Sequence, residues 1–162
     1  MQSHQIIQSK ILSGQMLDAQ LKKWHAQGTK IVFTNGCFDI VHLGHIDYLS
    51  RAADQGDVLL IGLNTDASVG RLKGPSRPVN NEQARAMLLA SMFFVSAVVL
   101  FDEDTPLELI RKVQPHILVK GSDYKAEDIV GYDIVKGRGG EVITIDFLPG
   151  YSTTSIINKL KE

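Results

Sequence analysis

Ile31-Val32-Phe33-Thr34-Asn35-Gly36-Cys37-Phe38-Asp39-Ile40-Val41-His42-Leu43-Gly44-His45 passes from an apolar, β-branched run into a polar stretch punctuated by glycine. A strand that is apolar at every position, rather than at every second one, is covered on both faces, as in a parallel sheet between helices. Gly36 lets the chain turn at the strand end, and Gly44 lets backbone approach a ligand where a Cβ would intrude. His42 and His45, three residues apart, face the same way once a helix has begun. They then stand near its positive end, where unpaired N–H groups favour phosphate. A histidine pair at this spacing also suits a metal half-site or a plain surface. One cysteine in the chain and no third histidine in ligand register disfavour zinc, so no residue is assigned to a metal.

Working outward, apolar runs at 58–63, 97–101, 117–119 and 142–145 repeat the pattern of 31–34, and helical patterns separate them. Alternating strands and helices imply a Rossmann-like, doubly wound α/β fold. Its parallel sheet has about five strands, and its ligand crevice lies at their carboxyl ends. Thr105-Pro106-Leu107-Glu108 has the form of a capping box with proline at the first helical position, and 80–83 repeats the reciprocal spacing. Ile46, Leu49, Ala52 and Ala53 make one apolar helix face, which Gly56 is expected to terminate in the left-handed conformation.

The chain has 162 residues, with 17 Lys plus Arg against 18 Asp plus Glu. That length suits one domain, placed at 30–162, preceded by a helical appendage at 1–29. In the appendage Ile6, Ile7, Ile11 and Leu12, then Leu17, Leu21 and Trp24, suggest two amphipathic helices that cover the core or a partner. Trp24 and its neighbours offer a surface for a homodimer. A net charge of −1 argues against a nucleic-acid partner, since such binders need a basic surface to displace counterions. Residues 86–101 carry no charge, but a spanning helix needs about 20 apolar residues, so no membrane segment is expected. The first five residues lack the basic region of a secretory signal, which makes the cytoplasm the expected compartment.

The set Gly36, Phe38, Asp39, His42, Gly44 and His45 resembles the strand-end signature Gly-x-Phe-Asp-x-x-His-x-Gly-His of the cytidylyltransferase-like nucleotidyltransferases. Ser152-Thr153-Thr154 is similar to that family's Ser-Thr-Thr run at the last helix. Within it, Leu72-Lys73-Gly74-Pro75-Ser76-Arg77-Pro78-Val79-Asn80 and Val119-Lys120-Gly121-Ser122-Asp123-Tyr124 resemble the adenylyltransferases of bacterial ADP-heptose synthesis, over about residues 30–159. The resemblance implies transfer of AMP from ATP to D-glycero-D-manno-heptose 1-phosphate, with release of pyrophosphate, upstream of lipopolysaccharide core assembly. It implies Mg2+ bound mainly through the ATP phosphates. It also implies a sugar kinase as a separate polypeptide, because no kinase segment is present in this sequence. One departure stands out: relatives that use CTP carry Arg-Thr-Glu-Gly where this chain has Leu148-Pro149-Gly150-Tyr151. The departure counts against the alternative pair, CTP with glycerol 3-phosphate or another polyol or sugar phosphate. A catalytically idle nucleotide-binding module is the alternative of another class.

In-line attack of a sugar-phosphate oxygen on the α-phosphorus needs no protein nucleophile, only positioning and charge stabilisation. His42, His45 and Lys73 are the expected catalytic residues, although by position alone a solvated loop lysine is the commoner reading of Lys73. Thr34, Asn35, Gly36, Phe38, Asp39, Gly44, Gly121, Asp123, Tyr124, Ser152, Thr153 and Thr154 are assigned to the nucleotide. Asp39 is a candidate outer-shell partner of Mg2+, and Ser152 is equally an ordinary N-cap. Asn64, Asp66, Arg71, Arg77, Arg85 and Lys120 are assigned to the acceptor. For two of these the sequence leaves an ordinary structural role open: Asp66 as a helix cap and Arg85 as the partner of Glu82.

Overall fold

In the structure, a computed structural model that describes residues 2–160, five strands form one parallel sheet in the order β3-β2-β1-β4-β5. They are β1 (Ile31–Gly36), β2 (Val58–Asn64), β3 (Ala97–Phe101), β4 (Ile117–Gly121) and β5 (Glu141–Ile145). The helices are α1 (Ser3–Ser9), α2 (Gly14–Ala26), α3 (Leu43–Ala53), α4 (Asp66–Lys73), α5 (Glu82–Ser91), α6 (Leu107–Val113), α7 (Tyr132–Gly137) and α8 (Thr153–Lys159). Consecutive residues of β1 point into different cores. Ile31 and Phe33 join Leu60, Leu118 and Val135, whereas Val32 joins Leu49, Leu59 and Ala86. This two-sided burial is why the strand is apolar throughout.

Strand order reverses at β1: the chain leaves it toward β2 on one side and later returns to β4 on the other. The loops above β1 and β4 therefore diverge, which opens a crevice at the switch point. β1 and β4 each run two residues beyond the expected strands, so Asn35, Gly36, Lys120 and Gly121 are held by the sheet and not by a loop.

Three local expectations need correction. Pro106 is itself the N-cap of α6, and Thr105 supplies no cap because the helix starts one residue later than the box requires. The cap of α5 is Asn81, whose Oδ1 accepts from Ala84 N–H at 2.9 Å, while Asn80 is engaged elsewhere. Helix α3 ends at Asp54 in right-handed geometry, and Gly56 does not adopt the left-handed conformation. Gly56 is needed instead for close approach, since a Cβ there would stand 2.7 Å from the Lys30 carbonyl oxygen and from Val32 Cγ2. On α3 the buried face is Tyr48, Leu49 and Ala52, and Ile46 points to solvent.

The N-terminal segment is core cover. Leu12, Leu17, Leu21 and Trp24 are buried in the same cluster as Ile31, Phe33 and Leu118. Each such burial contributes about 1.5–3 kcal/mol. Between the helices, Leu12 N–H donates to the Val98 carbonyl and Val98 N–H to that of Lys10, both at 2.9 Å, so part of the β3 edge is paired. Trp24 faces inward, so its ring is not the exposed surface expected of it. No helix among the described residues is long and apolar enough to cross a membrane.

Candidate active site

A cleft of about 730 Å3 lies over the carboxyl ends of the strands, walled by the loops after β1 and β4, the end of α4 and residues 147–154. Its floor is set by Gly36, where the chain turns so sharply that a Cβ would come within 2.9 Å of the Phe38 ring. Phe38 itself takes a left-handed conformation, φ 44°, and lays its ring edge-on to His45 at 5.3 Å. A non-glycine residue at positive φ stores strain that the surroundings must hold in place.

His42 is the N-cap of α3, and its ring stacks on His45 with centroids 3.8 Å apart. The His42 backbone N–H donates to His45 Nδ1 at 3.3 Å, which places the proton of a neutral His45 on Nε2. Burial pushes the His45 imidazole down to about 4, with His42 adding to the effect, and burial lowers His42 as well. Both rings are thus neutral N–H donors at pH 7. His42 Nδ1 is buried without a hydrogen-bond partner. Gly44 keeps this arrangement open: a Cβ there would lie 3.0 Å from the His42 ring and 3.1 Å from Tyr151 Cβ.

Asp39 is buried, and both its oxygens are in use. Arg77 Nε donates to Oδ2 at 2.6 Å, and Val79 and Asn80 N–H donate to Oδ1 at 2.8 and 3.0 Å. Burial alone would raise this carboxyl, but the Asn80 and Val79 amides and the Arg77 guanidinium outweigh it and hold it below the usual range. With its oxygens committed, the Asp39 carboxylate ties down the 77–80 loop at the edge of the cleft. Lys73, Arg77 and Lys120 are the cations of the cleft. Lys120 Nζ donates to the Asn35 carbonyl at 3.4 Å and stands 5.7 Å from the Tyr124 ring centre. Burial lowers its pKa, opposed by Asp123. Gly121 passes beneath Phe147, whose ring a Cβ would strike.

Of the residues assigned from sequence, Asn35, Gly36, Phe38, Asp39, His42, Gly44, His45, Asn64, Lys73, Arg77, Lys120, Gly121, Asp123, Tyr124, Ser152, Thr153 and Thr154 line the cleft. Four do not. Thr34 is fully buried, with Oγ1 2.8 Å from the Tyr48 hydroxyl. Arg71 turns outward to Asp104, at 3.1 Å, and to Asp102. Arg85 is 0% exposed, so it is no phosphate clamp. Its partner is Asp66, at 2.8 Å, and not Glu82. Asp66 in turn is not the cap of α4, a role taken by Thr65, which accepts from Ser68 N–H. Ser152 does cap α8, accepting from Ser155 N–H at 3.0 Å, and Thr153 Oγ1 donates to the Ile40 carbonyl at 3.4 Å.

The residues that sequence reasoning missed are mostly apolar. Val130, Phe147 and Tyr151 join Tyr124 as large side chains 40–52% exposed along one wall. Phe147 lies two residues past β5, at the carboxyl end where crevices form, so strand position alone could have flagged it. Val130 follows a short 3-10 turn at Ala126–Asp128 and carried no signal. The cleft thus has an apolar wall on the β4–β5 side and a basic one from α4 and the 77–80 loop. The loop after β1 touches both, through Tyr151 near His42, ring centres 6.4 Å apart, and through Asp39 on Arg77.

Comparison with known proteins agrees with this layout. The bifunctional protein HldE of Rhodopseudomonas palustris strain HaA2 is 55% identical over 146 residues, which cover 90% of this chain and 30% of that protein. The HldE of Gluconobacter oxydans strain 621H is 53% identical over 142 residues, 88% of this chain and 30% of that one. The chain therefore spans about 30% of the length of these relatives. Among solved structures, the lipopolysaccharide core biosynthesis protein from Thermoplasma volcanium GSS1 superposes with a TM-score of 0.64 at 28% identity. That match covers 75% of this chain and 99% of the other. The cytidylyltransferase-like family model matches residues 33–159, from β1 to the last helix and through every loop that lines the cleft, so the chain belongs to the cytidylyltransferase-like family.

Proposed function

We propose that this chain transfers AMP from ATP to D-glycero-D-manno-heptose 1-phosphate, giving ADP-heptose and pyrophosphate. The observation that carries the reading is the stacked, neutral His42–His45 pair at the N-terminus of α3, beside Gly44 and open to the cleft. Neutral imidazoles donate N–H groups to a polyphosphate while bringing no second charge that must first be desolvated, and the helix dipole adds to the attraction. Support for the acceptor comes from the likeness at 72–80 and 119–124, from the HldE relatives and from the solved lipopolysaccharide core biosynthesis protein.

The apolar wall of Tyr124, Val130, Phe147 and Tyr151 suits a nucleobase and ribose, and the Lys73–Arg77 side suits the sugar phosphate. Attack by the sugar-phosphate oxygen forms one P–O bond at the α-phosphorus as the bond to pyrophosphate breaks. His45 Nε2–H and His42 hold the departing oxygens as charge builds there, and Lys73 neutralises it. No group of three His, Cys, Asp or Glu side chains among the described residues is placed to cage a metal. Mg2+, bound mainly through the triphosphate, would neutralise phosphate charge during transfer. Asp123 and Asp128, which line the cleft, are the carboxylates that would reach its water shell. In this reading a sugar kinase supplies the heptose 1-phosphate and the reaction runs in the cytoplasm.

The test is pyrophosphate release from each of four nucleoside triphosphates against heptose 1-phosphate and glycerol 3-phosphate, with magnesium. ATP with heptose 1-phosphate is expected to be the preferred pair. Faster turnover of CTP with glycerol 3-phosphate, or no release at all from folded protein, would refute the reading.

A further inference from the structure

Asn80 lies outside the cleft, yet its backbone N–H, its carbonyl and its side-chain amide nitrogen are all engaged. Its N–H donates to Asp39 Oδ1 at 3.0 Å, its side-chain Nδ2 donates to the Asp39 carbonyl at 2.8 Å, and its own carbonyl accepts from Arg85 Nε at 3.0 Å. Arg85 is wholly buried and spends its remaining donors on the Cys37 carbonyl at 2.6 Å, the Asn64 carbonyl at 2.8 Å and Asp66 Oδ1 at 2.8 Å. One peptide thus joins the loop after β1, which carries the histidines, to the end of β2 and to the loop that carries Arg77. A buried guanidinium needs several acceptors to be tolerated at all, and here three backbone carbonyls and one carboxylate supply them. The three segments are fixed relative to one another by bonds that are buried or partly buried.

We propose that Asn80 is a positioning residue, which sets the distance between the acceptor side of the cleft and the histidine pair. The proposal rests on the adenylyl-transfer reading for its kinetic consequence, but not for the tether. An amide suits the place because it donates to the Asp39 carbonyl without adding a charge beside the Asp39 carboxylate. Asn80→Ala removes that arm alone and leaves both backbone bonds, so the fold is retained. Asn80→Asp keeps the shape but sets an acceptor against an acceptor, next to a carboxylate.

Both variants are compared with the parent by amide exchange and by steady-state kinetics. Exchange across residues 76–80 is expected to accelerate about tenfold or more, with strand amides unchanged. The acceptor KM is expected to rise and kcat to fall, together by about a hundredfold, while ATP affinity stays within about twofold of the parent. Unchanged exchange overturns the proposal. So does faster exchange with the acceptor KM and kcat both within about twofold of the parent, and so does an equal loss of ATP affinity. A parent that turns over no acceptor refutes the proposed function instead, and the exchange arm then decides the tether by itself.

Discussion

His45 is held neutral by where it sits. In the unfolded chain its imidazole titrates near its ordinary value of 6.5, and in the folded chain near about 4. Between those values the unfolded state takes up a proton that the native state refuses. The contribution to stability is therefore fully present above 6.5 and is lost as pH falls through about 4. Denaturant unfolding at pH 7 and pH 5 checks this: the parent is expected to lose more stability across that interval than His45→Gln, which has no proton to refuse. Equal losses would mean the ring is not buried as described. For turnover, His45→Ala is expected to lower kcat by about 10²–10³-fold with a smaller change in ATP affinity, since a donor aimed at developing charge acts mainly in the transition state. Equal losses in rate and affinity would mark His45 as a ground-state contact. The two histidines and Gly44 were legible in the sequence because their spacing follows helix geometry. That Asp39 and Arg85 serve as internal struts was not legible, because a charged side chain looks the same whether it meets a ligand or a backbone carbonyl from a segment far along the chain.

At the scale of the element, α3 shows function overriding propensity. Gly44 sits in its first turn, where alanine would be favoured by up to about 1 kcal/mol as a helix former. A Cβ at 3.0–3.1 Å from the His42 ring and Tyr151 Cβ must move one of them by a few tenths of an ångström. Gly44→Ala is expected to change unfolding free energy by less than about 1 kcal/mol while lowering kcat/KM at least about tenfold. A melting curve and a progress curve on one preparation separate the two effects. Full activity in the variant would show that the rings and the 147–151 segment are not tightly set. β1 to β4 were legible because two-sided burial writes itself as unbroken apolar runs, and the edge strand β5, exposed at Glu141 and Thr144, was legible from its β-branched run. Helix ends were less so. Thr105, Asn80 and Gly56 each carry the right residue type for a cap or stop, but tertiary contacts claim Asn80 and Gly56 for other work, and Thr105 falls one residue short of its cap.

Across the whole molecule, the N-terminal segment enters the core through Leu12, Leu17, Leu21 and Trp24. Trp24→Ala is expected to cost about 3–5 kcal/mol, read from denaturant unfolding, because the cavity opens between α2 and the sheet. A chain truncated to 30–162 would expose Ile31, Phe33 and Leu118 and leave the β3 edge bare, and it is expected not to fold cooperatively by itself. A native-like melting transition in that truncation would contradict this assignment. Sequence patterning showed that helices lay there but not what they covered, since an apolar stripe carries no address. What the assembled molecule achieves is one crevice at the β1–β4 switch point, with donors, cations and aromatic rings brought from segments more than a hundred residues apart. The most direct measurement of that claim is 15N NMR of the imidazoles while the parent is saturated with a non-hydrolysable ATP analogue and magnesium. The Nε2–H of His45 and the ring resonances of His42 are expected to shift markedly and to show through-hydrogen-bond coupling to phosphorus. Histidine signals that stay where they were, with the analogue demonstrably bound, would place the polyphosphate somewhere else and contradict the account.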